Sequence, residues 1–172
     1  MNWRTHVVAG ANTVWLIPAS TESILHYGPV LMGVAAFFAL LPDIEAQHAK
    51  IHSIRIAGAR VFDNTIVRGV VNHRGPVHSL LAIAIVGGLT AWLCRAYALP
   101  YELAWAATLG YASHPIIDGL NFPGVQYLYP YKRRLHLVPK FMRFRVNSFP
   151  DELLFVAGIF GILAYGYTFI IR

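Results

Sequence analysis

Charge and cysteine are what this 172-residue sequence has least of. Asp, Glu, Lys and Arg make up 13% of the chain, about half the rough quarter usual in soluble domains. So little charge excludes disorder and coiled coil and disfavours a soluble globular domain. The single cysteine, Cys94, allows no internal disulfide, so nothing implies an oxidising compartment. Acids are scarcer than bases, 8 against 14, and residues 119–150 contain none. What is abundant is apolar: hydrophobic residues are 56% and the mean hydropathy is +0.51. This is the composition of an integral membrane protein, and the length suits one domain covering residues 1–172.

Five apolar runs are candidate spans. Leu153–Ile171 is uncharged, preceded by Pro150, Asp151 and Glu152 and closed by Arg172, as a helix start and a membrane boundary should read. His78–Cys94, Tyr101–Asp118 and Ser23–Pro42 follow the same logic, and Arg95 can snorkel to the interface. His6–Pro18 is a short fifth. Arg4 ahead of it and Pro18-Ala19-Ser20 behind it give it the outline of a weak signal peptide, but it is read here as a span. The expected fold is therefore all-α, with about five transmembrane or membrane-embedded helices.

Alternating these spans places both long loops, 43–77 and 119–150, and the N-terminus on one face. The first loop carries Lys50, Arg55, Arg60, Arg68 and Arg74; the second carries Lys132, Arg133, Arg134, Lys140, Arg143 and Arg145. The positive-inside rule makes that face cytoplasmic and leaves Arg172 outside. Within 43–77, Ile51, Ile54, Val61, Ile66 and Val70 recur at near-helical spacing, which predicts amphipathic interfacial helices. In 119–150, Pro123, Pro130, Pro139 and Pro150 forbid a long helix.

Eight histidines in so apolar a chain need reasons, because imidazole is costly in lipid. Placed on this topology, His6 starts the first span, Asp43 follows the second, His73 and His78 flank the entrance to the third, and His114 and Asp118 end the fourth. All lie at the same membrane face, and scattered core histidines would not sort this way. His114 and Asp118 are four apart, sharing a face if the helix continues through Pro115. Four imidazoles and two carboxylates suit zinc first, then manganese or iron, as one ion or two. Bound metal would activate water and polarise a phosphoryl or carbonyl oxygen. His26 falls at the opposite face and is read as structural; His136 is read as interfacial. His48 and His52 fit a solvated amphipathic face as well as they fit a supporting or catalytic role.

The basic loops also have two readings. Phe141, Met142, Arg143, Phe144 and Arg145 interleave as in single-strand nucleic-acid binding. Tyr127, Tyr129 and Tyr131 beside Lys132–Arg134 read more simply as an aromatic belt against anionic lipid headgroups. Context favours the bilayer, and no specific nucleic-acid partner is expected. Arg74, inside the histidine motif, suits a clamp on substrate phosphate; its alternative is an ion pair with Asp43 or Asp118. Cys94 reads as a packing residue.

Leu40-Leu41-Pro42-Asp43-Ile44, His73-Arg74-Gly75-x-x-His78-Ser79 and Gly110-Tyr111-x-Ser113-His114-x-x-x-Asp118 together resemble the YdjM-like family. These are bacterial and archaeal inner-membrane proteins to which a LexA-regulated, metal-dependent hydrolase role is ascribed. Arg4-Thr5-His6 and Gly124-Val125…Tyr129-Pro130-Tyr131 resemble its other landmarks. The resemblance implies a helical membrane protein with a hydrolytic metal site at His6, Asp43, His73, His78, His114 and Asp118. The His-x-x-x-Asp element also resembles the zinc phospholipase C and P1-nuclease superfamily, which favours a phosphoester substrate. Glu45 stands where the family usually has a second aspartate, and Pro115 interrupts the last element.

The expected function is thus hydrolysis of a phosphoester, in a lipid or lipid-linked substrate, at the cytoplasmic membrane face. Arg74 would hold phosphate, and Glu45 or His48 would serve as general acid/base. The rivals are a non-catalytic metal or haem carrier or sensor, and a structural membrane subunit.

Overall fold

The computed structural model describes residues 1–18, 21–45, 55–56, 59–60 and 75–170. Among them are five α-helices: α1 (Trp3–Asn12), α2 (Thr21–Phe38), α3 (Leu80–Ala96), α4 (Tyr101–Asp118) and α5 (Phe149–Ile170). Helix α4 is central, packing against α1, α2 and α3, while α1 also packs against α2 and α5. Val14, Ile17, Leu31, Ala35, Ala106 and Tyr165 form the buried apolar core between these elements.

The helices match the apolar runs with shifted ends. The first run was expected as a span over His6–Pro18, yet α1 stops at Asn12 and gives way to a 3-10 turn, Thr13–Leu16. Two polar side chains compete for the backbone there. Asn12 Nδ2 donates to the Val8 and Gly158 carbonyls at 2.7 and 2.8 Å, and Thr13 Oγ1 donates to Gly10 at 2.7 Å. Ten residues of α-helix rise about 15 Å, half the hydrocarbon thickness.

Helix α5 starts four residues before the expected Leu153, because Asp151 anchors its first turn. Wholly buried, Asp151 accepts from Asn147 N at 2.8 Å, Asn2 N at 3.2 Å and Thr5 Oγ1 at 2.7 Å, tying α1 to α5.

Among the described residues, one helix segment, Phe149–Thr168, is long and apolar enough to cross a membrane by length and composition; Leu80–Ala96 is apolar but shorter. Both present large apolar side chains outward: Leu81, Ile85, Leu89 and Trp92 on α3, and Leu153, Phe160, Leu163 and Tyr167 on α5. Contiguous exposed apolar surface of this kind calls for a covering medium.

The loops depart from expectation once. Between residues 43 and 77 amphipathic helices were predicted. The described parts are instead a 3-10 turn over Leu41–Glu45, a two-residue antiparallel ladder pairing Arg55–Ile56 with Ala59–Arg60, and a 3-10 turn over Pro76–His78. Ile51, Ile54, Val61, Ile66 and Val70 lie outside the described residues. Between α4 and α5 only a three-residue 3-10 turn, Lys140–Met142, is helical, as Pro123, Pro130 and Pro139 require, and Pro150 lies in the first turn of α5.

Glycine sets the spacing of the three helices that carry the site. A methyl at Gly110 of α4 would overlap the Ala35 carbonyl oxygen and lie 2.6 Å from its Cα. A methyl at Gly10 of α1 would lie 2.5 Å from Ala39 Cβ. Helices α1 and α4 therefore close on α2 at one level, one turn from His6 and His114.

Candidate metal centre

Each candidate side chain is delivered by a helix end. His6 lies in the first turn of α1, and Asp43 in the 3-10 turn following α2. His78 closes the 3-10 turn before α3, where the Ser79 side chain accepts from Ala82 N at 3.2 Å and caps the helix. The Tyr111 hydroxyl donates to the Val77 carbonyl at 2.6 Å, pinning that turn to α4. His114 and Asp118 stay on one face because α4 runs unbroken through Pro115. The Pro115 carbonyl accepts both Gly119 N at 2.9 Å and the Tyr127 hydroxyl at 2.7 Å. Burial, then the nearby Asp118 charge, pushes the Tyr127 hydroxyl up to about 12, so it remains a neutral donor.

The rings pack around His114. His6 stacks on it with centroids 3.6 Å apart and planes 9° from parallel, and His78 meets it edge-on at 5.0 Å. His114 Nε2 is 3.5 Å from Asp43 Oδ1 and 3.9 Å from Asp118 Oδ2; His78 Nε2 is also 3.9 Å from Asp118 Oδ2. His6 Nε2 is 3.5 Å from Asp118 Oδ1. Two overlapping triads result, His6–His114–Asp118 and Asp43–His78–His114, each with its donor atoms within 4.8 Å of one another.

The three imidazoles are completely buried, and Asp118 is 1% exposed. His114 Nδ1–H donates to the Ala39 carbonyl at 2.7 Å, which fixes the tautomer and turns the Nε2 lone pair toward the carboxylates. That Nε2 and both nitrogens of His6 have no hydrogen-bond partner among the described residues despite their burial. Burial alone would raise the Asp43 carboxyl, but the facing His114 ring outweighs it and holds the carboxyl well below the usual carboxylate range. Neutral imidazoles beside two carboxylates leave the cluster net negative even with the Met1 ammonium on Asp118, which favours a cation there. Buried nitrogens without hydrogens to accept, mixed with carboxylate oxygens, form a donor set that fits zinc, manganese or iron.

Five of the sequence candidates thus come together: His6, Asp43, His78, His114 and Asp118. Glu45 ends the turn that carries Asp43. His48, His52, His73 and Arg74 lie outside the described residues. His26 is exposed at the other end of α2, and His136 bonds the Phe122 carbonyl at 2.9 Å within the basic loop.

Two partners of Asp118 were not foreseen from the sequence. The Met1 ammonium donates to its Oδ1 at 2.6 Å, and Asn121 Nδ2 donates to the same oxygen at 3.1 Å. Asn121 just past a helix end reads in sequence as an ordinary cap, and only its complete burial marks it out.

Residues 1–171 match the family model described as YdjM inner membrane protein. The chain belongs to the YdjM family. No curated protein and no solved structure gives a match. Membership makes this YdjM-family chain an inner membrane protein, which supplies the medium that the exposed apolar faces of α3 and α5 require.

Proposed function

We propose that this YdjM-family protein is a metal-dependent hydrolase acting on a phosphoester of a lipid or lipid-linked substrate. The observation that carries this is the convergence of His6, Asp43, His78, His114 and Asp118, from four helix ends, on one buried cluster. These residues would hold one divalent ion, or two, with His73 as a further ligand and His114 Nε2 serving a single ion. When bound, the metal supplies Lewis acidity and lowers the pKa of water. His114 is oriented by the Ala39 carbonyl, Arg74 binds the substrate phosphate, and Glu45 or His48 moves the proton.

The five helices are membrane-embedded in this proposal, with the N-terminus, the site and both basic loops cytoplasmic. Lys132–Arg134, Lys140, Arg143 and Arg145 would then meet anionic headgroups. Support for a lipid substrate comes from an apolar groove of about 280 Å³, lined by Val77, Leu81, Ile85, Tyr111 and Tyr129. It borders the His78 turn, giving an acyl chain a lateral approach from the bilayer. The resemblance of His-x-x-x-Asp to the zinc phospholipases adds the preference for phosphoesters.

The test is to purify the protein in mild detergent without added metal, quantify bound metals by ICP-MS, and assay lipid and soluble phosphoesters. One or two equivalents of metal with lipid phosphoester turnover, both lost in His78→Ala, is the expected result. A folded wild type that stays metal-free after reconstitution overturns it.

A second reading is a closed structural metal centre. It draws on the complete burial of all three imidazoles, since structural sites fill every coordination position whereas catalytic ones keep one open. Metal present without any hydrolysis would favour it.

A further inference from the structure

Among the described residues, Asn121 is the one wholly buried amide beside the cluster, and its two ends behave differently. Nδ2 donates to Asp118 Oδ1, whereas Oδ1 has no hydrogen-bond partner among the described residues. Turning the amide over would set its carbonyl against the carboxylate, so the observed orientation is the one that electrostatics allows. Its backbone is pinned as well: Asn121 N donates to the Asp118 carbonyl at 3.1 Å, and the residue pairs with Phe144 in an isolated bridge.

The consequence falls on the carboxylate. Asp118 Oδ1 is held by Asn121 and the Met1 ammonium and lies 3.5 Å from His6 Nε2, while Oδ2 lies 3.9 Å from Nε2 of both His78 and His114. A residue kept only for packing would not leave a buried carbonyl unsatisfied, since an apolar side chain of the same size avoids that cost. Carboxylates that ligate metals are themselves hydrogen-bonded by neighbours that set their orientation.

We propose that Asn121 is a positioning residue of the metal site: it occupies one oxygen of Asp118 so that the other alone is presented to the cation beside His78 and His114. This rests on the metal-site reading above. In Asn121→Leu, Asp118 rotates and engages through both oxygens or neither, and the site loses its geometry while the fold does not.

The test uses the full chain in detergent, titrated with Co(II) against a chromophoric chelator. The variants are Asn121→Leu, Asn121→Ala and Asp118→Ala, with the double variant Asp118→Ala/Asn121→Leu. Co(II) affinity should fall about 10- to 100-fold in both Asn121 variants. The visible Co(II) bands should change in intensity, because coordination number changes, while the melting temperature of apo Asn121→Leu stays at or above that of wild type. In the Asp118→Ala background, Asn121→Leu should have no further effect, since the residue acts through that carboxylate.

Wild-type affinity and spectra in both Asn121 variants overturn the inference alone. So does an Asn121→Leu effect that persists undiminished without Asp118. A wild type that binds no Co(II) overturns the metal site itself.

Discussion

Gly110→Ala is the substitution that most directly asks whether helix spacing builds the site. In an open stretch of helix, the change gains up to about 1 kcal/mol, because glycine loses more backbone entropy on folding. At Gly110 the added methyl meets backbone, overlapping the Ala35 carbonyl oxygen and lying 2.6 and 2.8 Å from its Cα and carbonyl carbon. Backbone cannot move aside as a flexible side chain can, so α4 must back away from α2. Overpacking of this kind costs about 1–3 kcal/mol. The net loss is about 1–2 kcal/mol, or roughly 2–8 °C in melting temperature for a chain of this size. The same shift moves His114, one turn further along α4, away from Asp43, lowering metal affinity on the order of tenfold. Gly88→Ala on α3 is the matched control, because a methyl there meets nothing within 4 Å. It should be neutral or stabilising and leave metal affinity alone. Thermal unfolding in detergent and metal titration read both. Gly110→Ala as stable and as tightly metallated as Gly88→Ala would refute the described approach of α4 to α2.

Three further outcomes are expected. His114→Ala removes the ligand common to both triads and should abolish stoichiometric metal by ICP-MS, whereas His26→Ala, at the far end of α2, should not; retained metal in His114→Ala refutes the ligand set. Metal occupancy should fall on acidification, because ligating histidine must be neutral while the depressed Asp43 carboxyl stays ionised; dialysis at pH 8 and at pH 4 followed by metal analysis checks this, and equal occupancy at the two speaks against imidazole ligation. Asp151→Ala strands three donors, Asn147 N, Asn2 N and Thr5 Oγ1, and should destabilise by about 3 kcal/mol in thermal unfolding; a loss below about 0.5 kcal/mol would mean that this brace between α1 and α5 does not hold.

What could be read from the sequence alone was whatever depends on local pattern. Low charge and long apolar runs locate the helices, since a helix in lipid must satisfy its backbone internally and cover itself with apolar side chains. The same runs place His6, Asp43, His78, His114 and Asp118 at helix ends on one side, because an ionisable residue interrupting an apolar stretch is visible as an interruption. The four-residue spacing of His114 and Asp118 was legible too, although only the continuous helix through Pro115 makes it count.

Tertiary structure decided the rest. The Met1–Asp118, Thr5–Asp151 and Asn12–Gly158 contacts join residues 117, 146 and 146 positions apart, and no local pattern encodes such pairs. The tautomer of His114 follows from the Ala39 carbonyl, which reaches it only because Gly10 and Gly110 let α1 and α4 close on α2. Asn121 was hidden for the same reason. Its residue type announces a helix cap, and its weight comes from being buried against Asp118 by a loop whose course only packing determines.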